Sequence, residues 1–284
     1  MVMLPDVTAA APLLLWEVSG GGTTVWLYGS VHLCRADCYP LPREVDRRFE
    51  AAELLAVELD VTRPEVATTM SRSTRKTSAP LSRLLSPDEW AALQKEVLPL
   101  GVKPSHLDQL SPQLAVMMLS LAEADRMGLS PRFGVDLQFI DRAQRSGKPL
   151  VELETVERQL AAMTAGTDAD ALLALKAAMS SVSDGSLRTM LEDLVGAWRR
   201  GDASRLADLL KEAVAIEGGD RATFGAVFDQ RNREMSERIG KLARGSRAAF
   251  VVVGSGHLAG REAIPELLTR QGLKVRRLSS GEDL

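Results

Sequence analysis

Two of the three histidines in this 284-residue chain end the same short sequence, near opposite ends of the chain. His32 closes a Gly-Ser-x-His sequence at residues 29–32, and His257 closes another at residues 254–257. Imidazole is the commonest metal ligand and the commonest acid–base group near neutral pH. Repetition of the whole unit favours one shared site over two unrelated structural histidines.

The segment before each histidine predicts where that site lies. Residues 25–28 and 250–253 are apolar runs rich in β-branched and aromatic side chains, which is typical of buried strands. The glycine that follows each run permits the turn that leads off a sheet. Open parallel α/β sheets bind ligands outside the carboxyl ends of their strands. If the two strands are neighbours, His32 and His257 face one pocket.

Glu58 is the carboxylate with the most informative position. It lies in the run 54–60, which otherwise has the composition of a buried strand and ends in polar groups. A buried carboxylate needs a cation, a metal or several hydrogen-bond donors. Glu58 therefore either pairs with an arginine or joins the two histidines, and its strand-end position favours the second. Strand alternation predicts that Asp60 lies on the same side of the strand as Glu58.

The remaining histidine and the two cysteines give weaker signals. His106 lacks the strand-end setting, so we expect a structural or surface role for it. Cys34 and Cys38 closely follow His32 and are interpreted as loop thiols, a small disulfide or metal ligands. No further Cys or His nearby completes a structural zinc set.

Composition describes an ordinary globular chain. Hydrophobic residues make up 45% and charged residues 26% of the sequence, and the net charge is −3. That balance gives no reason to expect a nucleic acid or an anionic membrane as partner. No run reaches the roughly 18 apolar residues of a membrane span. The apolar residues 1–15 carry no basic region, so we expect a cytoplasmic protein, or an exported one whose signal has been removed.

The order of predicted elements is that of an α/β protein with a mainly parallel sheet and flanking helices. Residues 157–244 carry no strand signal and are interpreted as a helical insertion or cap within a single domain, 1–284. The other elements are expected as a hairpin over 13–28, a helix over 42–52, a strand over 54–60, helices over 86–98, 112–127 and 134–145, a strand over 150–153, and a strand, a helix and a strand over 250–276.

The ordered set of motifs resembles the TraB/GumN family, which includes the Tiki metalloproteases. The resemblance rests on the two Gly-x-x-His units, on residues 57–60, and on four later pieces that follow in family order. They cover nearly the whole chain, and the set is specific although each piece alone is weak. The later pieces are residues 134–136, residues 153–155 with Gln159, residues 231–232 and residues 256–260.

The resemblance implies a fold similar to that of the erythromycin esterases and the haem-binding ChaN proteins. In the Tiki branch, the two motif histidines and the glutamate serve divalent-metal-dependent proteolysis. Carried onto this sequence, those catalytic and metal-binding residues are His32, Glu58 and His257. In the esterase branch, the corresponding constellation works without a metal.

These residues predict a metal-dependent hydrolase with Mn²⁺, Co²⁺ or Zn²⁺ bound by two imidazoles and a carboxylate. Asp60 and Glu154 are expected to orient the ligands, or to act as general base. Arg231 and Asn232 offer donors and an acceptor for a substrate carbonyl or carboxylate. The expected substrate is a peptide, or a small-molecule ester or amide.

Two alternatives remain open at the level of sequence. In one, Glu58 and a histidine activate water without a metal, as in an esterase. In the other, the crevice binds a peptide, haem or a signal molecule without turnover. The sequence does not choose the metal, the substrate or the oligomeric state.

Overall fold

The computed structural model describes residues 11–73, 79–164, 166–216 and 225–281. Residues 217–224 of the predicted helical insertion lie outside these ranges. In the described ranges the strands are β1 (Pro12–Ser19), β2 (Val25–Ser30), β3 (Leu54–Val57), β4 (Leu150–Glu152), β5 (Ala249–Gly254) and β6 (Lys274–Ser279).

Helices fill the connections between these strands. In the described ranges the α-helices are α1 (Arg43–Ala51), α2 (Pro64–Ser73), α3 (Leu81–Leu84), α4 (Pro87–Val97), α5 (Pro104–Leu107), α6 (Pro112–Arg126), α7 (Val135–Ser146), α8 (Val156–Met163), α9 (Asp168–Ser183), α10 (Ser186–Arg199), α11 (Ala203–Ile216), α12 (Gln230–Ala243) and α13 (Ile264–Arg270). A π-helical turn, Gly225–Asp229, leads into α12. No helix in the described ranges is long and apolar enough to cross a membrane.

The strands form one six-stranded mixed sheet in the order β4-β3-β5-β2-β1-β6. Strand β1 pairs antiparallel with both β2 and β6, whereas the remaining neighbours pair in parallel. The opening hairpin and the α/β class were predicted correctly. The hairpin turn is glycine-rich, and the strands flanking it are apolar, which explains why this part could be predicted from the sequence.

Parallel pairing brings four strand ends to one edge of the sheet. Ser30 at the end of β2 pairs with Gly254 at the end of β5. Val57 at the end of β3 pairs with Val252 of β5 on one side and with Glu152 of β4 on the other. The residues that follow β2, β3, β4 and β5 therefore emerge side by side, as in the ligand crevice of open α/β sheets.

An aromatic cluster packs helices α1 and α7 against the sheet. Phe139 of α7 lies 5.1 Å from both Phe49 of α1 and Phe250 of β5, measured between ring centroids. Tyr28 of β2 lies 6.0 Å from Phe139 in an edge-on arrangement. Such tilted and edge-on pairs each add about 0.5–1.5 kcal/mol beyond the burial of their area. The cluster fixes α7, whose first turn reaches the carboxyl edge of the sheet.

The helical part of the protein is built from two of the connections between strands. A second hydrophobic cluster joins residues 81–119 from the β3–β4 connection to Leu175 and Ala178 of α9 from the β4–β5 connection. The predicted helix at residues 86–98 is confirmed as α4. Its start is a capping box in which Ser86 and Glu89 bind each other's backbone N–H groups.

One local expectation is wrong. Strand β3 ends at Val57, so Glu58 and Asp60 lie beyond the strand, and strand alternation does not place them on one side. The Asp60 N–H donates to Glu152 Oε1 at 2.9 Å, and the Asp60 carboxylate accepts from the Thr62 hydroxyl at 2.6 Å. The chain thus turns between the two carboxylates and points them to different partners.

Candidate functional site

Three predicted side chains converge at the end of strand β5, around the backbone of Gly254. A methyl group added at Gly254 would lie 3.2 Å from Glu58 Oε1, 3.6 Å from Nε2 of His32 and 3.7 Å from Cδ2 of His257. Glycine leaves that space open, because any larger residue would fill the centre of the cluster. We call His32, Glu58 and His257 the His–Glu cluster.

Glu58 is held as a buried carboxylate. Its Oε1 accepts the Gly254 N–H at 2.5 Å and lies 3.7 Å from Nε2 of His257. Its Oε2 accepts from Arg231 at 2.7 Å. Burial alone would raise the pKa of Glu58, but the two histidines, Arg231 and the Gly254 N–H outweigh it and lower that pKa. Glu58 is therefore ionised at neutral pH.

Arg231 bridges two buried carboxylates. Besides Glu58, its guanidinium donates to Glu154, with Nε at 2.9 Å from Oε2 and one Nη at 2.5 Å from Oε1. Glu154 reaches Glu58 because its backbone N–H continues the β3–β4 pairing by donating to the Glu58 carbonyl at 3.0 Å. Burial raises the pKa of Glu154, although Arg231 opposes that shift. One cation thus serves two acids that would otherwise repel each other.

His257 is buried, at 4% exposure, and is oriented by α12. Its Nδ1 lies 2.5 Å from the side-chain oxygen of Asn232, and the Asn232 amide nitrogen donates to the Glu262 carbonyl at 2.8 Å. Because the amide nitrogen is committed to a carbonyl, the amide oxygen accepts the imidazole proton from Nδ1. Burial lowers the pKa of His257 to about 4. Neutral His257 therefore keeps a lone pair on Nε2, on the side of Glu58.

His32 is open to solvent, with 68% of its side chain exposed. Its Nδ1 lies 2.8 Å from Asp136 Oδ2, and the other Asp136 oxygen accepts from the Ser30 hydroxyl. The Asp136 carboxylate raises the pKa of His32 to about 9. The exposed Nε2 is the atom that faces the Gly254 position.

Gly134 lets α7 approach His32 closely. A methyl group at Gly134 would lie 2.4 Å from the His32 carbonyl oxygen, which is shorter than any real contact. The next residue, Val135, donates its N–H to the Val31 carbonyl at 2.9 Å. Asp136 therefore enters the first turn of α7 directly behind His32.

The structure brings some predicted site residues together and separates others. His32, Glu58 and His257 meet, and Arg231 with Glu154 lies against Glu58. Arg231 and Asn232, predicted to bind substrate, are 7% and 2% exposed and are engaged with protein partners. Among the described residues, no hydrogen bond or ion pair joins Asp60 to the His–Glu cluster.

Sequence reasoning did not assign Ser30 and Asp136 to the site. The sequence contains a signal for both residues. Ser30 belongs to the first Gly-Ser-x-His unit, and Asp136 ends the motif at residues 134–136. A carboxylate in the first turn of a helix is, however, usually explained by favourable interaction with the helix dipole. Only the docking of α7 beneath the His32 loop reveals the pairing.

The cysteines form a disulfide, Cys34–Cys38. Cys34 also exchanges two backbone hydrogen bonds with Ser130, at 3.3 and 2.8 Å. Of the three sequence interpretations, the structure selects the small disulfide. The disulfide closes the loop that follows His32, and the hydrogen bonds between Cys34 and Ser130 join this loop to the segment that leads into α7.

The donor set of the His–Glu cluster suits a divalent transition metal. Asn232 and Asp136 each bind an Nδ1, as the hydrogen-bond partners of metal-binding histidines do, and so leave both Nε2 atoms toward Glu58. The space above Gly254 lies between these donors. Among the described residues, no three such side chains already stand close enough together to form a metal-binding group.

Fold and site together define an α/β protein with a His–Glu cluster at the carboxyl edge of its sheet. A sequence model of the TraB/PrgY/gumN family matches residues 14–277. The chain belongs to that family, as its motifs predicted.

Two curated relatives extend the comparison. The chain is 23% identical over 242 residues to "Uncharacterized protein YbaP" of Escherichia coli (strain K12), covering 85% of this chain and 86% of that protein. It is 22% identical over 320 residues to "Metalloprotease TIKI1" of Danio rerio, covering 95% of this chain and 64% of that protein. The chain thus spans less than two thirds of the metalloprotease. No solved structure matches the chain significantly.

Proposed function

We propose that this protein is a metal-dependent hydrolase of the Tiki type, which cleaves peptides with the His–Glu cluster as its catalytic centre. One observation carries the proposal: Glu58 Oε1 and Nε2 of His32 lie around the same empty space at Gly254, and His257 lies beside it. The distant similarity to a metalloprotease supports it.

His32, Glu58 and His257 are the residues that would hold Mn²⁺, Co²⁺ or Zn²⁺. Two nitrogens and one carboxylate oxygen suit all three metals and leave further coordination positions open. A metal at this site would supply Lewis-acid activation of water or of a carbonyl oxygen near neutral pH.

The surrounding residues act on these ligands. Asp136 orients the His32 ring and accepts its Nδ1 proton, and Asn232 does the same for His257. Arg231 keeps Glu58 ionised and aimed at the cluster, and Glu154 holds Arg231 in place. Asn232 and Arg231 therefore act through the ligands and not by touching substrate, which refines their predicted role.

A second candidate is a metal-independent, esterase-like hydrolase. The His32–Asp136 pair favours it, because a carboxylate on Nδ1 and an exposed Nε2 are what a histidine general base requires. In that mechanism the ionised Glu58 and His32 together take the proton of an attacking water, and His32 contributes as its pKa of about 9 is approached and it loses its own proton.

Metal content distinguishes the two candidates. Wild type and the His32→Ala/His257→Ala double variant are purified without chelator and analysed by mass spectrometry. About one Mn, Co or Zn per wild-type chain, lost in the double variant, supports the metallohydrolase. No metal in either protein, together with hydrolysis of ester substrates that Glu58→Gln abolishes, supports the esterase-like enzyme. If Glu58→Gln leaves every activity unchanged, neither proposal survives, and a binding protein is the better description.

We propose two further properties of this protein, its family fold and its cell compartment. We propose that the mixed sheet with its helices is the fold of the erythromycin esterases and ChaN proteins. Between the two predicted locations, the Cys34–Cys38 disulfide favours an exported protein, since disulfides persist in oxidising compartments. Thiol labelling of the protein in intact cells tests the location: a reduced pair contradicts export.

A further inference from the structure

A cavity of about 490 Å³ lies in the helical part of the protein, and none of its lining residues belongs to the His–Glu cluster. Helices α4, α6 and α9 and the start of α10 form its walls. Leu119, Met179 and Val182 provide an apolar surface. The volume falls in the range of small-molecule sites, which is about 300–1,000 Å³.

A buried carboxylate organises the polar side of this cavity. Glu123 of α6 is 5% exposed, and each of its oxygens binds a different arginine. Its Oε2 accepts from Arg126 at 2.6 and 3.0 Å, and its Oε1 accepts from Nε of Arg188 at 2.8 Å. The remaining Nη1 of Arg126 donates to Glu96 at 2.6 Å. Each of the three guanidinium nitrogens of Arg126 therefore donates to a protein carboxylate.

Arg188 is only partly used. Its described hydrogen bond engages Nε alone, so within the described ranges both Nη groups lack a protein partner. Lys95 of α4 also lines the cavity and has no ion pair or side-chain hydrogen bond among the described residues. The lining thus carries Lys95, Arg126 and Arg188 against two carboxylates, and its excess positive charge resides on groups with unused donors.

Packing alone does not require this arrangement. A buried ion pair is often no more stabilising than apolar side chains of the same volume, because its charges lose their hydration. Glu123 accepts a hydrogen bond from Nε of Arg188 and so orients the guanidinium. The two Nη groups of Arg188 are left to bind a ligand.

We propose that this cavity binds a small organic carboxylate with an aliphatic body. The two Nη groups of Arg188 match the two oxygens of a carboxylate, which is the geometry of bidentate arginine recognition. Lys95 supplies a second positive charge. Met179 and Val182, which are only partly buried, cover the aliphatic body. The site is separate from the proposed catalytic centre and does not depend on it.

Octanoate is the probe for this site, at concentrations below micelle formation, with octanamide as its uncharged analogue. Isothermal titration calorimetry on the full chain is expected to show saturable binding of octanoate and at least tenfold weaker binding of octanamide. Lys95→Met and Arg188→Met should each weaken octanoate binding at least tenfold. Lys211→Met, which removes an exposed lysine of α11, is the matched control and should bind like wild type.

The variants separate a failed site from a failed fold. Lys95→Met removes no described partner, so it keeps the fold even if Arg188→Met disturbs Glu123. The His32→Ala/His257→Ala variant should retain octanoate binding whatever happens to hydrolysis. Equal binding of octanamide, absence of octanoate binding, or unchanged binding in both cavity variants would overturn the proposal.

Discussion

At the scale of single residues, Arg231 decides whether two buried acids coexist. Glu58, Glu154 and Arg231 each have less than a tenth of their side chains exposed, at 9%, 3% and 8%. Removing one partner of a buried pair leaves uncompensated charge and costs about 3–5 kcal/mol. We expect Arg231→Ala to lower the free energy of unfolding by that amount, measured by urea denaturation in the presence of chelator.

Arg233 offers a control on the same helix. Its side chain is 57% exposed, and it pairs with Glu262 at 3.4 Å. Exposed pairs contribute little, so Arg233→Ala should change the free energy of unfolding by no more than about 0.5 kcal/mol. If Arg231→Ala and Arg233→Ala lower the free energy of unfolding equally, the buried bridge from Arg231 to Glu58 and Glu154 stabilises the fold no more than an exposed ion pair does.

His32 should make stability depend on pH. Asp136 raises its pKa from 6.5 to about 9 in the folded protein, so the folded state keeps a proton that the unfolded chain loses. This stabilisation is complete below about pH 6.5 and is lost as the pH rises to about 9. In chelator-treated protein, the urea midpoint of wild type should fall over that interval relative to His32→Gln.

The expected amplitude is small because 68% of the His32 side chain is exposed and solvent screens its pairing with Asp136. The comparison is therefore the difference between the two proteins at each pH, which removes the contribution of groups common to both. If that difference stays constant between pH 6.5 and 9, Asp136 does not hold a proton on His32.

At the scale of elements, the last residue of β5 controls access to the cluster. Gly254 has φ of −52°, so an alanine there meets no backbone strain. Its methyl group would instead occupy the space beside Glu58 Oε1, Nε2 of His32 and the His257 ring. We expect Gly254→Ala to weaken Co²⁺ binding at least tenfold, measured by calorimetry, and to abolish hydrolysis.

Gly196 in α10 provides a matched glycine away from the site. A methyl group there meets only the end of the Arg200 side chain, which can move. Gly196→Ala should stabilise the helix by about 0.5–1 kcal/mol and leave Co²⁺ binding unchanged. Identical metal binding by wild type and Gly254→Ala would show that the ion does not occupy the space above Gly254.

The elements also show what sequence patterns reveal and what they do not. Strands β2 and β5 could be predicted because buried parallel strands are continuous apolar runs. Their shared Gly-Ser-x-His endings predicted neighbouring histidines. The residue at which β3 ends and the contacts of Arg231 and Asn232 could not be predicted from the sequence. They depend on which elements meet across the sheet edge, and local periodicity carries no information on that. Asp136 was missed for the same reason.

At the scale of the whole molecule, metal binding and folding should be linked. The three groups of the His–Glu cluster come from connections after β2, β3 and β5, so unfolding separates them and destroys the site. A metal that binds only the folded state stabilises it by about 2.7 kcal/mol at a hundredfold excess over Kd. We therefore expect Mn²⁺, Co²⁺ or Zn²⁺ to raise the Tm of chelator-treated wild type by several degrees.

The same titration distinguishes this site from unspecific metal effects. The His32→Ala/His257→Ala variant lacks both imidazoles, so the transition metals should leave its Tm unchanged. Ca²⁺ prefers six to eight oxygen ligands and should not raise the Tm of wild type, since this cluster offers two nitrogens and one carboxylate. A rise of equal size in the double variant would place the ion elsewhere. No rise with any of the three metals would instead favour the His32–Asp136 pair as the source of any hydrolytic activity, because that pair is complete without a metal.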